Sequence, residues 1–142
     1  MTTRSEVFLD TSYAIALVLR GDEYHTLATQ LGQTLQSDRR RIVLTDAVLL
    51  EIGNALARRP FRSLAVRMIE RLQHDPAFTV IQVDEWIMGA GYTLFARNTD
   101  KSWTLVDCIS FVVMQERGIT EALTADRHFV QAGFRALLLE ED

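Results

Sequence analysis

The chain has 142 residues, 48% of them apolar, with one cysteine and a formal net charge of −4. That length suits a single domain over residues 1–142 with a core of its own, and the composition excludes disordered and fibrous classes. Cys108 alone excludes an internal disulfide and a cysteine-based zinc site, and the longest apolar run, Tyr13 to Leu19, is far short of the ~20 residues of a membrane span.

In chain order, Glu6 to Leu9 reads as a short buried strand, followed by helical periodicity from Ser12 to Leu19 and from Glu23 to Leu35. A polar turn, Gln36 to Arg41, leads to a strand at Ile42 to Leu44. Thr45 or Asp46 then caps a helix expected to reach about Arg59, where Pro60 interrupts it. Ser63 to Gln73 resumes helically, with Ala65, Met68, Ile69 and Leu72 on one face. Phe78 to Val83 is the third strand. Asp84 caps a helix to Arg97 that Gly89 and Gly91 weaken, and a loop runs from Asn98 to Trp103. Thr104 to Glu116 is a strong helix, Ala122 to Thr124 a strand, and Phe134 to Leu138 a last strand. Strands alternating with helices predict an α/β domain with a mostly parallel sheet covered on both faces. Sites in such sheets form beyond the carboxyl ends of the strands.

Four acids lie in apolar surroundings: Asp10 after the first strand, Glu51 in the helix after the second, Asp107 in the first turn of the helix before the fourth strand, and Asp126 just after that strand. Each has a bland reading. Asp10 and Asp126 suit helix N-caps, and Thr104 with Asp107 makes a capping box with Asp in place of the usual Glu or Gln. Glu51 resists such a reading, because it shares a helix face with Val48, Ala55 and, one position round, Ile52. Uncompensated buried charge costs several kcal/mol in roughly the regime estimated for real proteins. One explanation serves all four, a shared divalent cation, and hard oxygen donors select Mg²⁺ or Mn²⁺. Cys108, flanked by apolar residues, reads as a packed thiol.

Other chemistries fail on their residues. No Walker loop, Gly-x-Gly-x-x-Gly fingerprint or Gly-x-Ser-x-Gly elbow is present, and His25, His74 and His128 lack zinc-ligand spacing. A dehalogenase-type phosphotransferase would need Asp at position 12, which is Ser12. Charge is unevenly spread: eight arginines against three acids give residues 39–71 a balance of +5 and leave −9 for the remainder. A basic surface beside an acidic site suits a nuclease, although a solvated helix face explains the same charges.

With these residues in view, the chain resembles the PIN-domain ribonucleases, especially the bacterial VapC-type toxins. Phe8-Leu9-Asp10-Thr11-Ser12 is similar to the family's opening motif, Glu51 within Ala47 to Ile52 to its second acid, Thr104 to Ser110 around Asp107 to its third, and Leu123 to Phe129 around Asp126 to its fourth. The resemblance implies a three-layer α/β/α sandwich with a parallel five-stranded sheet in the order 3-2-1-4-5. It implies Mg²⁺ or Mn²⁺ dependence, single-stranded RNA as substrate with 5′-phosphate and 3′-hydroxyl products, a homodimer, and a small antitoxin partner.

The resulting expectation is a metal-dependent endoribonuclease, the toxin of a toxin–antitoxin pair. Asp10, Glu51, Asp107 and Asp126 are the catalytic and metal-binding set, with Asp10 and Asp107 foremost as direct ligands. Thr11, Ser12, Ser110 and Thr124 would orient the carboxylates, and Arg39, Arg40 and Arg41 would track the RNA backbone. With Arg4, Glu6 and Asp10 where a signal peptide would be apolar, a cytoplasmic location is expected. The rival readings are a PIN nuclease that is not a toxin, a catalytically silent protein-binding module, and a phosphatase or DNA nuclease using the same carboxylates.

Overall fold

The computed structural model describes residues 5–140, so Arg4 lies outside the described residues. Five strands form one sheet, β1 (Val7–Leu9), β2 (Ile42–Thr45), β3 (Phe78–Ile81), β4 (Glu121–Leu123) and β5 (Arg135–Ala136), in the order β3-β2-β1-β4-β5. All neighbours pair in parallel, with Phe8 opposite Val43 on one side and Ala122 on the other. Val7, Phe8, Leu9, Val43, Leu44, Ala122 and Leu123 are buried. Helices cover both faces of the sheet, which is why these strands are apolar runs and do not alternate.

The helices are α1 (Thr11–Val18), α2 (His25–Ser37), α3 (Asp46–Ala55), α4 (Arg62–His74), α5 (Glu85–Arg97), α6 (Leu105–Arg117) and α7 (Arg127–Gln131). α1 packs on α2, α3 and α4, whereas α6 packs on α5 and α7. The expected three-layer arrangement and strand order are therefore present. The sheet changes direction at β1, whose successor β2 lies on one side and β4 on the other. The segments leaving β1 and β4 part there and leave a crevice at the carboxyl edge.

β3 stops at Ile81 rather than Val83 and α2 runs two residues later than expected, and three elements depart further. α3 ends at Ala55, with Leu56 as its C-cap, rather than near Arg59; the residue before a proline avoids helical geometry, so the disruption by Pro60 reaches back up the chain. β5 has two residues instead of five, because only Arg135 and Ala136 pair with Glu121 and Ala122 at this edge. α5 runs unbroken through Gly89 and Gly91. Gly91 is a contact residue, since a Cβ there would stand 2.7 Å from Ile109 Cγ1 and 3.2 Å from Ile109 Cα. The glycine lets α5 approach α6 closely, and the packing gained offsets its poor helix propensity.

Candidate metal centre and active site

Asp10 leaves β1 in an extended conformation and caps α1, its carboxylate accepting from Ser12 N at 3.5 Å. That cap bond is long. The stronger bonds come from Ser12 Oγ at 2.9 Å and Thr124 Oγ1 at 2.8 Å, both to Oδ2. The two hydroxyls lie 3.1 Å apart, and Ser12 Oγ also receives Ala125 N at 3.0 Å. The loops after β1 and β4 are thus joined through the Asp10 carboxylate. Asp10 is 6% exposed; burial pushes its carboxyl up to about 6, against the opposing hydroxyl bonds and with a smaller contribution from the charge of Asp107.

Asp107 is 7% exposed and completes a capping box: its N–H donates to Thr104 Oγ1 at 3.0 Å, and its Oδ2 accepts from Thr104 N at 3.0 Å. Asp126 caps α7 by accepting from His128 N at 2.9 Å. Glu51 is half-buried on α3 and accepts from Thr11 Oγ1 at 2.7 Å. Asp10, Glu51, Asp107 and Asp126 line one open cleft of about 560 Å³, with Thr11, Ser12, Ile15, Asn54, Ala55 and Thr104 completing its walls. Helix capping is therefore real at three of the acids, yet it does not explain why four carboxylates converge.

The two edges of the sheet differ in how they treat acids. At the amino edge Glu121 pairs with Arg40 at 2.8 Å and Arg135 at 3.0 Å, while Glu6 pairs with Arg117 at 2.8 Å. At the carboxyl edge, among the described residues, no Lys or Arg pairs with any of the four cleft acids; the basic side chain that does is His128, with Asp107 and Asp126. A buried carboxylate held up by desolvation, three more beside it and no Lys or Arg paired with them among the described residues make a donor set that fits a hard divalent ion.

Thr11, Ser12 and Thr124 each bond a carboxylate of the cleft. Ser110 does not: it sits one turn beyond Asp107, fully buried, with Oγ unpartnered. Arg39, Arg40 and Arg41 also fall away from the acids. Register places Arg40 beside Ser5, five residues before the level of Asp10, which is about 16 Å along a strand. Arg40 is committed to Ser5, Glu6 and Glu121 as a clasp across the amino edge. Sequence reasoning missed His128, whose Nδ1 donates to Asp107 Oδ2 at 2.8 Å and lies 3.3 Å from Asp126 Oδ1. Spacing among histidines alone hid it; the informative pattern was Asp126-Arg127-His128, which puts a carboxylate and a ring two residues apart.

A family model for the PIN domain matches residues 7–135. The chain belongs to the PIN-domain family. PIN nucleases use divalent metals, and Asp107, Asp126 and His128 stand close enough together to hold one. The 23S rRNA-specific endonuclease VapC20 of Mycobacterium tuberculosis is 31% identical over 136 residues, covering 90% of this chain and 95% of the relative. The crystal structure of the M. tuberculosis VapC20, described as a sarcin–ricin loop cleaving toxin, superposes with a TM-score of 0.80 at 27% identity over 90% of this chain and 95% of that one. The FitAcB structure from Neisseria gonorrhoeae shares the fold at TM-score 0.62 and 18% identity, over 92% of this chain and 94% of that one.

Proposed function

We propose that this PIN domain is a Mg²⁺- or Mn²⁺-dependent endoribonuclease that cuts single-stranded RNA as the toxin of a toxin–antitoxin pair. The observation that carries the reading is the convergence of Asp10, Glu51, Asp107 and Asp126, from four separate segments, on a cleft whose acids pair with no Arg or Lys among the described residues. Asp10 and Asp107 offer direct ligands, and Glu51 and Asp126 ligate or act through water. A bound cation supplies the charge that lowers the pKa of the attacking water and stabilises the phosphoryl oxygens. Ser12 and Thr124 hold the Asp10 carboxylate and Thr11 holds that of Glu51, so the oxygens stay oriented. One of the carboxylates that remains free of direct ligation orients the water for in-line attack, leaving 5′-phosphate and 3′-hydroxyl ends.

RNA tracks along Arg58, Arg59 and Arg62, which follow the cleft-lining residues Asn54 and Ala55, are exposed, and have no acid paired with them among the described residues. The VapC20 relative supports a loop of ribosomal RNA as the target class. An antitoxin partner and a homodimer complete the reading. Trp86, Met88, Tyr92 and Phe95 on α5, each 42–61% exposed, support a protein-covered surface. No helix among the described residues is long and apolar enough to cross a membrane, and we assign the protein to the cytoplasm.

The test is a parallel assay with Mg²⁺ and with Mn²⁺ on a sarcin–ricin loop RNA, an unrelated single-stranded RNA, a flapped DNA and a phosphomonoester. Cleavage of RNA alone, abolished by chelator, is expected. Turnover of the DNA or the monoester in preference to RNA would replace this reading with a rival one, and inertness toward all four would leave a binding module.

A further inference from the structure

His128 is the basic group among the cleft acids, and the metal-dependent nuclease reading gives it no role. Its Nδ1, Asp107 Oδ2 and Asp126 Oδ1 are 2.8 and 3.3 Å apart. Each of the three residues offers a ligand atom within 4.8 Å of the others. Two ligands at right angles on metal bonds of about 2.1 Å stand about 3 Å apart, so the ring nitrogen already occupies a ligand's separation from both carboxylates. Asp107 and Asp126 both line the cleft with Asp10 and Glu51, and His128 contacts these two. The Asp107–Asp126 pair therefore has a nitrogen donor beside it that, among the described residues, Asp10 and Glu51 lack.

We propose that His128 is a metal ligand through Nδ1, giving the Asp107–Asp126 flank of the cleft an N,O cation position that favours transition-metal ions such as Mn²⁺ over Mg²⁺. The inference rests on the metal-nuclease reading. In the metal-free molecule Nδ1 carries the proton that it donates to Asp107. Ligation through Nδ1 would exchange that hydrogen bond for a bond to the cation and leave Nε2, which has no protein partner among the described residues, to carry the ring's N–H, the proton passing from one nitrogen to the other by way of solvent. Imidazole adds affinity for transition-metal ions that it does not add for Mg²⁺, whose preferred donors are oxygen. The other acids and hydroxyls stay as they are, so loss of the ring should alter metal preference more than it alters the fold.

The experiment uses the untagged protein with Mn²⁺ alone, read by pulsed electron paramagnetic resonance for coupling to ¹⁴N. Calorimetric titrations with Mn²⁺ and Mg²⁺ accompany it, on wild type and on His128→Gln. Nitrogen coupling in the wild type, absent in the variant, is expected. Mn²⁺ affinity should fall by about tenfold or more, against a change in Mg²⁺ affinity of less than about threefold, on the scale at which groups around a metal contribute. Bound Mn²⁺ without nitrogen coupling, or equal losses for both ions in the variant, would make His128 an orienting residue and overturn the proposal while leaving the nuclease reading intact. Failure of the wild type to bind Mn²⁺ at all would overturn both. The wild-type spectrum decides the matter even if the variant folds poorly.

Discussion

Asp10 shows how one side chain serves fold and chemistry at opposing energies. It caps α1 and ties β1 to the β4 loop, yet burial lifts its carboxyl from 3.8 to about 6. A carboxyl raised in the folded state makes folding favour the neutral acid. Its ionisation is harmless below about 4 and progressively destabilising as pH rises to about 6, by an upper bound of about 3 kcal/mol for two units. Asp10→Asn should therefore raise the melting temperature of the metal-free protein at pH 7.5 and remove this group's share of the decline between pH 4 and 6. A variant that melts below wild type in chelator at that pH would show that the bonds from Ser12 and Thr124 outweigh burial. Asp107 separates the two roles differently. Asp107 closes its capping box from the third helical position, where an amide oxygen can still accept from Thr104 N, so Asp107→Asn should cost about 1 kcal/mol or less in stability while RNA cleavage falls by orders of magnitude. Turnover at the wild-type rate would reduce Asp107 to a cap.

At the scale of elements, strong periodicity and capping residues made most of the architecture legible. Thr45, Asp84 and Thr104 cap α3, α5 and α6 as their sequence positions imply. What escaped the sequence depends on contacts between elements. The helix containing Gly89 and Gly91 looks weakened until α6 is packed against it, and then Gly91 becomes the position that sets their separation. Gly91→Ala should destabilise the protein by about 1–3 kcal/mol, because the nearest obstacles include the Ile109 backbone, which cannot swing aside as a side-chain tip can. A melting temperature at or above that of wild type would mean that α5 shifts freely and gains helix propensity. Ser110 shares α6 with Asp107, but its hydroxyl points into the buried interior, an orientation that spacing alone does not determine.

Across the whole molecule, the parallel sheet sorts charge by edge. The amino edge holds acids matched by Arg40, Arg117 and Arg135, and the carboxyl edge holds the acids left unmatched. The basic balance of residues 39–71 was visible in the sequence, but topology divides it: Arg39 to Arg41 precede a strand, while Arg58 to Arg62 follow a cleft-lining helix. Replacing Arg58, Arg59 and Arg62 with Gln should weaken RNA binding for all sequences and flatten the slope of log affinity against log salt by up to about 0.7 per lost contact. The same change at Arg39 and Arg41 should leave the slope unaltered; the reverse pattern would return the RNA path to the amino edge. The central claim is that four carboxylates form one divalent-cation site, and thermal melting in increasing Mg²⁺ and Mn²⁺ tests it most directly. Because a ligand saturating the folded state at 100 times its Kd stabilises by about 2.7 kcal/mol, the wild-type melting temperature should rise by several degrees at millimolar metal. The gain should vanish in the protein carrying both Asp10→Asn and Asp107→Asn. A wild-type melting temperature indifferent to both ions, or an undiminished gain in the double variant, would contradict the claim.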